Sequence, residues 1–343
     1  MNIDYTAIIK KAWEGYGDIR SIKKVTNISV EVSTNAVYKI DLDDRNILFA
    51  KLSYFGMHEA FSNDHVIINA LSNNLGLPFD GFLARSLMKG RSLYIYRYKD
   101  ADVDASLVFY LPVKINKRPP RRLDETQIVK LARSIAHFHL CCNQIRKTLP
   151  ESNKDIFDDI RHLKRDLSDG HSHFSHNSNL VKEQISIFLS RCDDLHYRAF
   201  NKIPVFLDWN IGNFSVSENF ALFSRWDYDW FRVDSRILDF YFLARVVSNI
   251  GDQTVFHYNF DILKEDRFLL FLKNYHEVFP LDPNELHFIK EGYRFFILNY
   301  VVREGRRFFH DDYSYKLQSE SYQFLPHLDD QLDTNIYLKK LNL

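Results

Sequence analysis

Asp208, Asn213 and Asp227 are the side chains whose types and spacing best suit joint chemistry. The first two follow the apolar run Ile203-Pro-Val-Phe-Leu207 and are five residues apart, in Asp208-Trp-Asn-Ile-Gly-Asn213. A second apolar run and a turn come next, and Ala221-Leu-Phe-Ser-Arg-Trp-Asp227 reads as a strand ending at Asp227. A short loop can point Asp208 and Asn213 into one cleft, and the neighbouring strand then delivers Asp227. A carboxylate beside a hydroxyl is a proton acceptor. An amide oxygen and a second carboxylate are hard ligands of the kind Mg2+ takes, while it keeps waters and borrows phosphate oxygens. Such a set serves phosphoryl transfer, which needs positioning and charge neutralisation more than covalent help. Asp229 is a further candidate for the metal or its surroundings.

The elements that must carry these groups change character along the chain. An amphipathic helix at the N-terminus is followed by alternating, strand-like stretches at Ser29-Val-Glu-Val-Ser, Ala36–Leu42 and Ile47–Tyr54, with Asp43-Asp-Arg-Asn as a turn. Apolar residues at 61, 66, 67, 70 and 71 predict a helix over 57–73. Phe82–Ala84 and Ser92–Tyr98 read as two more strands, and 99–124 as irregular. Helical periodicity dominates from about 125, over 125–142, 156–168, 178–200, 236–249, 260–278 and 284–309. The chain therefore divides into residues 1–98, rich in strands, and 99–343, mainly helical with one hairpin that bears the acidic cluster.

Lys plus Arg equals Asp plus Glu, 45 each in 343 residues, so no global field favours nucleic acid or an acidic membrane. The three cysteines include the adjacent pair Cys141-Cys142 and cannot pair fully, which speaks for a reducing, cytoplasmic setting rather than a disulfide framework. Apolar runs such as Phe240–Val247 are interrupted and too short to span a bilayer. The first residues lack the apolar core of a signal peptide.

With these elements in this order, the chain resembles the aminoglycoside phosphotransferase, choline kinase and homoserine kinase superfamily over about residues 25–310. The resemblance rests on Asp208, Asn213 and Asp227, and on several further segments. These are Asn35-Ala-Val37-Tyr38, Phe49-Ala-Lys51-Leu, Ala132-Arg-Ser-Ile-Ala-His-Phe-His139, Asp239-Phe-Tyr-Phe-Leu-Ala and Tyr293–Tyr300. It implies an α+β, protein-kinase-like two-lobe fold with a small N-terminal antiparallel β lobe, a large mainly helical C-terminal lobe and the nucleotide between them. It also implies ATP and Mg2+ as cofactors and a hydroxyl on a small molecule as the acceptor. Asp208 takes the place of the catalytic base, and Asn213 and Asp227 those of the metal ligands. Lys51 and Asn35 fall at phosphate-binding positions, and Tyr94–Tyr98, including Tyr96 and Tyr98, where backbone meets adenine. Asp64 is the partner of Lys51 by register, with Glu59 as its rival, and Asp239 braces the catalytic loop. Phe206 stands where the family carries His, and there is no glycine-rich phosphate loop.

Two other readings of the same residues stay open: a protein Ser/Thr kinase, and a nucleotide-binding pseudokinase that serves as a scaffold. Gly170–His176, with three histidines, matches no zinc spacing and reads as a solvated loop. The basic stretch Lys114–Arg122 reads the same way, and His139 as a hydrogen-bonded core residue. The acceptor itself is not legible; Glu265 and Asp266 offer charge, and the Tyr- and Phe-rich helices offer stacking surfaces.

Overall fold

Alternation in the sequence becomes a sheet whose inner face is a core. In the computed structural model, which describes residues 4–29, 35–53, 58–100, 103–169, 177–252 and 257–343, β2 (Ala36–Leu42) buries Ala36, Tyr38, Ile40 and Leu42 and turns the residues between them outward. It lies between β1 (Ile22–Asn27) and β3 (Ile47–Ser53) in an antiparallel sheet of order β1-β2-β3-β7-β6. A small hairpin of β4 (Met88–Lys89) and β5 (Ser92–Leu93) precedes β6 (Ile95–Lys99) and β7 (Asp104–Tyr110). Helix α1 (Tyr5–Tyr16) is capped by Asp4 and buries Ile8, Ile9, Ala12 and Trp13 in the core of this sheet. Helix α2 (His58–Asn74) buries Asp64, Ile67, Ile68 and Leu71.

Two expectations are corrected here. Residues 99–124 are not uniformly irregular, because β7 runs through them as an inner strand paired with both β3 and β6. Phe82–Ala84 lies outside the strands. The strand read at Ser29–Ser33 lies, beyond Ser29, outside the described residues; β1 precedes it and ends at Asn27.

The helical part begins with α3 (Glu125–Ile145), opened by a capping box between Asp124 and Gln127. Helices α4 (Ile156–Ser168), α5 (Ser178–Asp194), α6 (Phe240–Val247), α7 (Asp266–His276) and α8 (Pro283–Phe296) follow. The helix expected over 284–309 changes to a π-helix at Ile297–Arg303, then continues as α9 (Gly305–Phe308). The chain ends in α10 (Asp311–Phe324), α11 (Leu328–Gln331) and α12 (Asn335–Leu341). Two short strand pairs interrupt the helices: β8 (Lys202–Val205) with β11 (Arg232–Ser235), and β9 (Phe214–Val216) with β10 (Leu222–Arg225).

The chain divides into two compact units, Met1–Lys114 with Leu149–Asn153 and Arg306–Asp311, and the remainder. The first holds the small antiparallel sheet lobe and the second the large helical lobe. Cys141, Cys142 and Cys192 are free, and burial pushes their thiols upward. Among the described residues no helix is long and apolar enough to cross a membrane.

Candidate active site

The helical unit builds its acidic site on a turn that the backbone resists. Leu207 has φ 57°, in the left-handed region, where a side chain costs about 1–2 kcal/mol. Asp208 N donates to Phe206 O at 2.6 Å and Trp209 N to Leu207 O at 2.9 Å, giving two successive three-residue turns. Asp239 holds them in place. It is fully buried, and its Oδ1 accepts from Phe206 N (2.9 Å) and Leu207 N (2.7 Å). Its Oδ2 meets His139 Nε2 at 2.9 Å, and His139 Nδ1 meets the Tyr275 hydroxyl at 2.8 Å. His139 is thus the hydrogen-bonded core residue its apolar helix face predicts, and Asp239 is bonded to the loop it was expected to brace.

This turn presents a half-buried Asp208. Asn213 Nδ2 donates to Asp208 Oδ2 (2.9 Å), and Asn210 Nδ2 to Asp208 Oδ1 (2.5 Å). Asn213 ends a 3-10 turn, Ile211–Asn213, whose first amide donates to Asp252 Oδ2 at 2.7 Å. Across the β9–β10 hairpin, Trp226 N donates to Asn213 O at 3.0 Å, which sets Asn213 beside the segment carrying Asp227. The strand expected to end at Asp227 ends at Arg225 instead. Asp227 lies two residues beyond it at φ 69°, a conformation Asp tolerates, and its Oδ1 accepts from Asp229 N at 3.3 Å. Asp208, Asn213 and Asp227 are therefore gathered, as their spacing predicts.

Electrostatics mark the same group. Burial first, and then the neighbouring Asp227 carboxylate, push Asp208 up to about 7, against the opposing pull of Arg225. A carboxylate raised by a neighbouring carboxylate marks a site that a cation would relieve. The donors, an amide oxygen and carboxylates, are those of Mg2+. Among the described residues no three His, Cys, Asp or Glu side chains cluster to hold a metal by themselves. Asn213 and Asp227 fit an ion that takes its remaining ligands from phosphates and water.

Phe206, which the resemblance sets where a His is expected, is a packing residue. It is buried against Phe138 of α3, Trp209, Tyr228 and Phe231, with ring centres 5.4 to 6.0 Å apart. Sequence reading missed two groups at the site. Arg225, fully buried, donates from Nη2 to Asp208 O at 2.8 Å. Asp252 is the buried acceptor for the Asn213 turn. Its loop is pinned to the basic stretch: Asp252 N donates to Arg121 O at 2.9 Å, and Arg122 Nε to Asn249 O at 2.6 Å. That stretch is exposed apart from Pro119, as a solvated loop should be.

Gly251 makes this pinning possible. It has φ 72°, and a Cβ there would lie 2.1 Å from Arg121 O. Gly251→Ala is therefore expected to cost on the order of 2–4 kcal/mol and to lower the melting temperature markedly. A variant that melts with the wild type would refute this account of the loop.

In the sheet unit, Lys51 is 5 % exposed on β3, and its backbone register faces Val37 and Val108. Asp64 of α2 is 7 % exposed, whereas Glu59, its rival as partner of Lys51, is exposed. Asn35 is buried just before β2. Ser33 and Thr34, beside it in the motif, lie outside the described residues, as does the histidine tract 170–176. Tyr96 and Tyr98 are on the edge strand β6, packed against the core of the sheet, and the Tyr98 hydroxyl donates to Asp100 at 2.7 Å. β6 turns back into β7, and the chain leaves this sheet after Tyr110.

Comparison with solved structures identifies this architecture. Amicoumacin kinase hAmiN, solved with AMP-PNP and Ca2+, superposes with a TM-score of 0.68 at 16% identity, covering 97% of each chain. The chain has the protein-kinase-like fold of the aminoglycoside phosphotransferases. A microcompartment-associated aminopropanol kinase matches at TM-score 0.64 and 13% identity, over 94% of this chain and 96% of that one. The APH(2")-IIa complex with gentamicin matches at 0.57 and 12%, over 98% and 99%. No protein-family model and no curated protein sequence matches the chain. The protein-kinase-like fold is thus carried here on a sequence far from those of the structures that share it.

Proposed function

We propose that this protein is an ATP-dependent phosphotransferase that moves the γ-phosphoryl group of ATP to a hydroxyl of a small molecule. The observation that carries the reading is the gathering of Asp208, Asn213 and Asp227, with Asp208 raised by burial and then by Asp227. The acceptor oxygen attacks the γ-phosphorus, the bond to the β-phosphate oxygen breaks with its electron pair leaving on ADP, and the hydroxyl proton passes to a carboxylate oxygen of Asp208. Asn213 and Asp227 would hold Mg2+, which neutralises charge on the phosphates. Lys51 would anchor the α- and β-phosphates, with Asp64 keeping it charged and Asn35 nearby in sequence to strand β2. Adenine would meet backbone after Tyr110 rather than at Tyr96 and Tyr98. Amicoumacin and aminopropanol, named in the structural neighbours, are small molecules, which supports a small-molecule acceptor over a protein one.

Incubating the protein with Mg-ATP and a library of hydroxyl compounds, and following ADP release and phosphorylated product together, tests the reading. At least one acceptor should be phosphorylated in step with ADP release. Tight Mg-ATP binding with no transfer to any acceptor, or to water, would instead favour a nucleotide-binding scaffold.

A base must be ionised to accept a proton. Turnover should therefore fall as pH drops below about 7 and Asp208 protonates. A rate that stays flat from pH 8 to about 5 would remove Asp208 from the proton transfer.

A further inference from the structure

Arg225 closes β10 two residues before Asp227, and its side chain has no exposure to solvent. Nη2 donates to the main-chain oxygen of Asp208 at 2.8 Å, while Nε and Nη1 have no hydrogen-bond partner among the described residues. Aromatic rings occupy the space around them. The guanidinium carbon lies 4.4 Å from the ring centre of Phe206 and 4.4 Å from that of Trp209. These two residues bracket Leu207 and Asp208, so the cation is gripped by the side chains on either side of the turn and bonded to the turn itself.

Fold stability alone does not select such a group. A buried guanidinium with two unmatched nitrogens is costly, and ring faces return only part of that cost. An apolar side chain of similar volume would fill the same space without it. What Arg225 adds is a fixed connection between the turn bearing Asp208 and the strand leading to Asp227. That turn is held in a conformation its backbone disfavours, at Leu207.

We propose that Arg225 is a positioning residue for phosphoryl transfer: clamped between Phe206 and Trp209, it anchors the Asp208 carbonyl and fixes the proton acceptor relative to the segment after β10 that carries Asp227. The inference rests on Asp208 being that acceptor.

The test uses the full chain with Mg-ATP and water as the phosphoryl acceptor, reading ADP release beside thermal melts. Arg225→Met should lower kcat by about thirtyfold to a hundredfold, as small misplacements of a reacting group do, with KM for Mg-ATP within about threefold. Its melting temperature should be no lower than that of the wild type. Arg225→Lys keeps the charge but loses the flat face and the fork, and should restore only part of the rate. Trp209→Leu leaves Arg225 in place but removes one ring of the clamp, and should lower kcat with KM preserved.

Folded Arg225→Met with kcat within about threefold of wild type overturns the proposal, as does a lowered melting temperature together with a KM raised well beyond threefold, the pattern of a purely structural side chain. If Arg225→Met does not fold, Trp209→Leu decides, and an unchanged kcat there overturns it as well. Asp208→Asn in the same assay separates the two levels. Wild-type turnover in Asp208→Asn would sink the assignment of the acceptor. Loss of turnover in Asp208→Asn beside normal turnover in Arg225→Met would sink only the role of Arg225.

Discussion

Asp208→Asn should lower turnover by about a thousandfold or more while Mg-ATP affinity stays nearly unchanged. The proton acceptor acts in the transfer step, not in holding the nucleotide. The contrast is Lys51→Ala, in which affinity and turnover should fall together, because Lys51 is assigned to the phosphates. Asp208→Asn should also be at least as stable as the wild type. Burial and Asp227 raise the Asp208 carboxyl to about 7 in the fold. Between its unfolded value near ~4 and that folded value, the native chain retains a proton that the unfolded chain releases, so stability falls as pH rises through the window. Asn carries no such cost, and the gain at pH 8 should be on the order of 1–2 kcal/mol, disappearing below about pH 4. Titration of nucleotide by fluorescence, with melts at two pH values, measures both effects. Loss of ATP binding in Asp208→Asn as severe as in Lys51→Ala, with both variants folded, would make Asp208 a metal-site or loop-bracing residue instead.

Asp227→Asn carries the second large expected effect. Turnover should fall by about a thousandfold, and the Mg2+ dependence of nucleotide binding should weaken. The fold should survive, because Asn is as tolerant as Asp of the left-handed backbone at φ 69°. The substitution also removes the charge that helps to raise Asp208, so a change in the base alone cannot explain the loss. A kcat within about threefold of wild type would defeat the whole assignment of the metal site.

The sequence disclosed what depended on local period and spacing. Asp208, Asn213 and Asp227 were legible because a short loop and one hairpin place them, and each interval is fixed by neighbours in the chain. Strand β7 was not legible. Six of its seven residues are buried, so it shows no alternation and reads as neither face of anything. Helix α10 escaped for the opposite reason: its buried residues, Ser314, Leu317, Gln318 and Ser321, make a polar seam rather than an apolar stripe. Arg225 and Asp252 could not be found by type. An arginine ending a strand and an aspartate after a glycine are common on surfaces, and only the tertiary fold shows both buried beside the turn.

The bracing of that turn has a consequence for engineering by exchange of parts. Residues 206–213 look like a self-contained cassette, yet their shape is held by Asp239, which is itself held by His139 and, through it, by Tyr275. His139 lies 100 positions from Asp239 and 136 from Tyr275 along the chain. A loop transplanted from a relative would arrive without the foundations that give it its conformation. Working chimeras of this protein would have their junctions placed so that positions 139, 239 and 275 travel with the loop, as one inherited block.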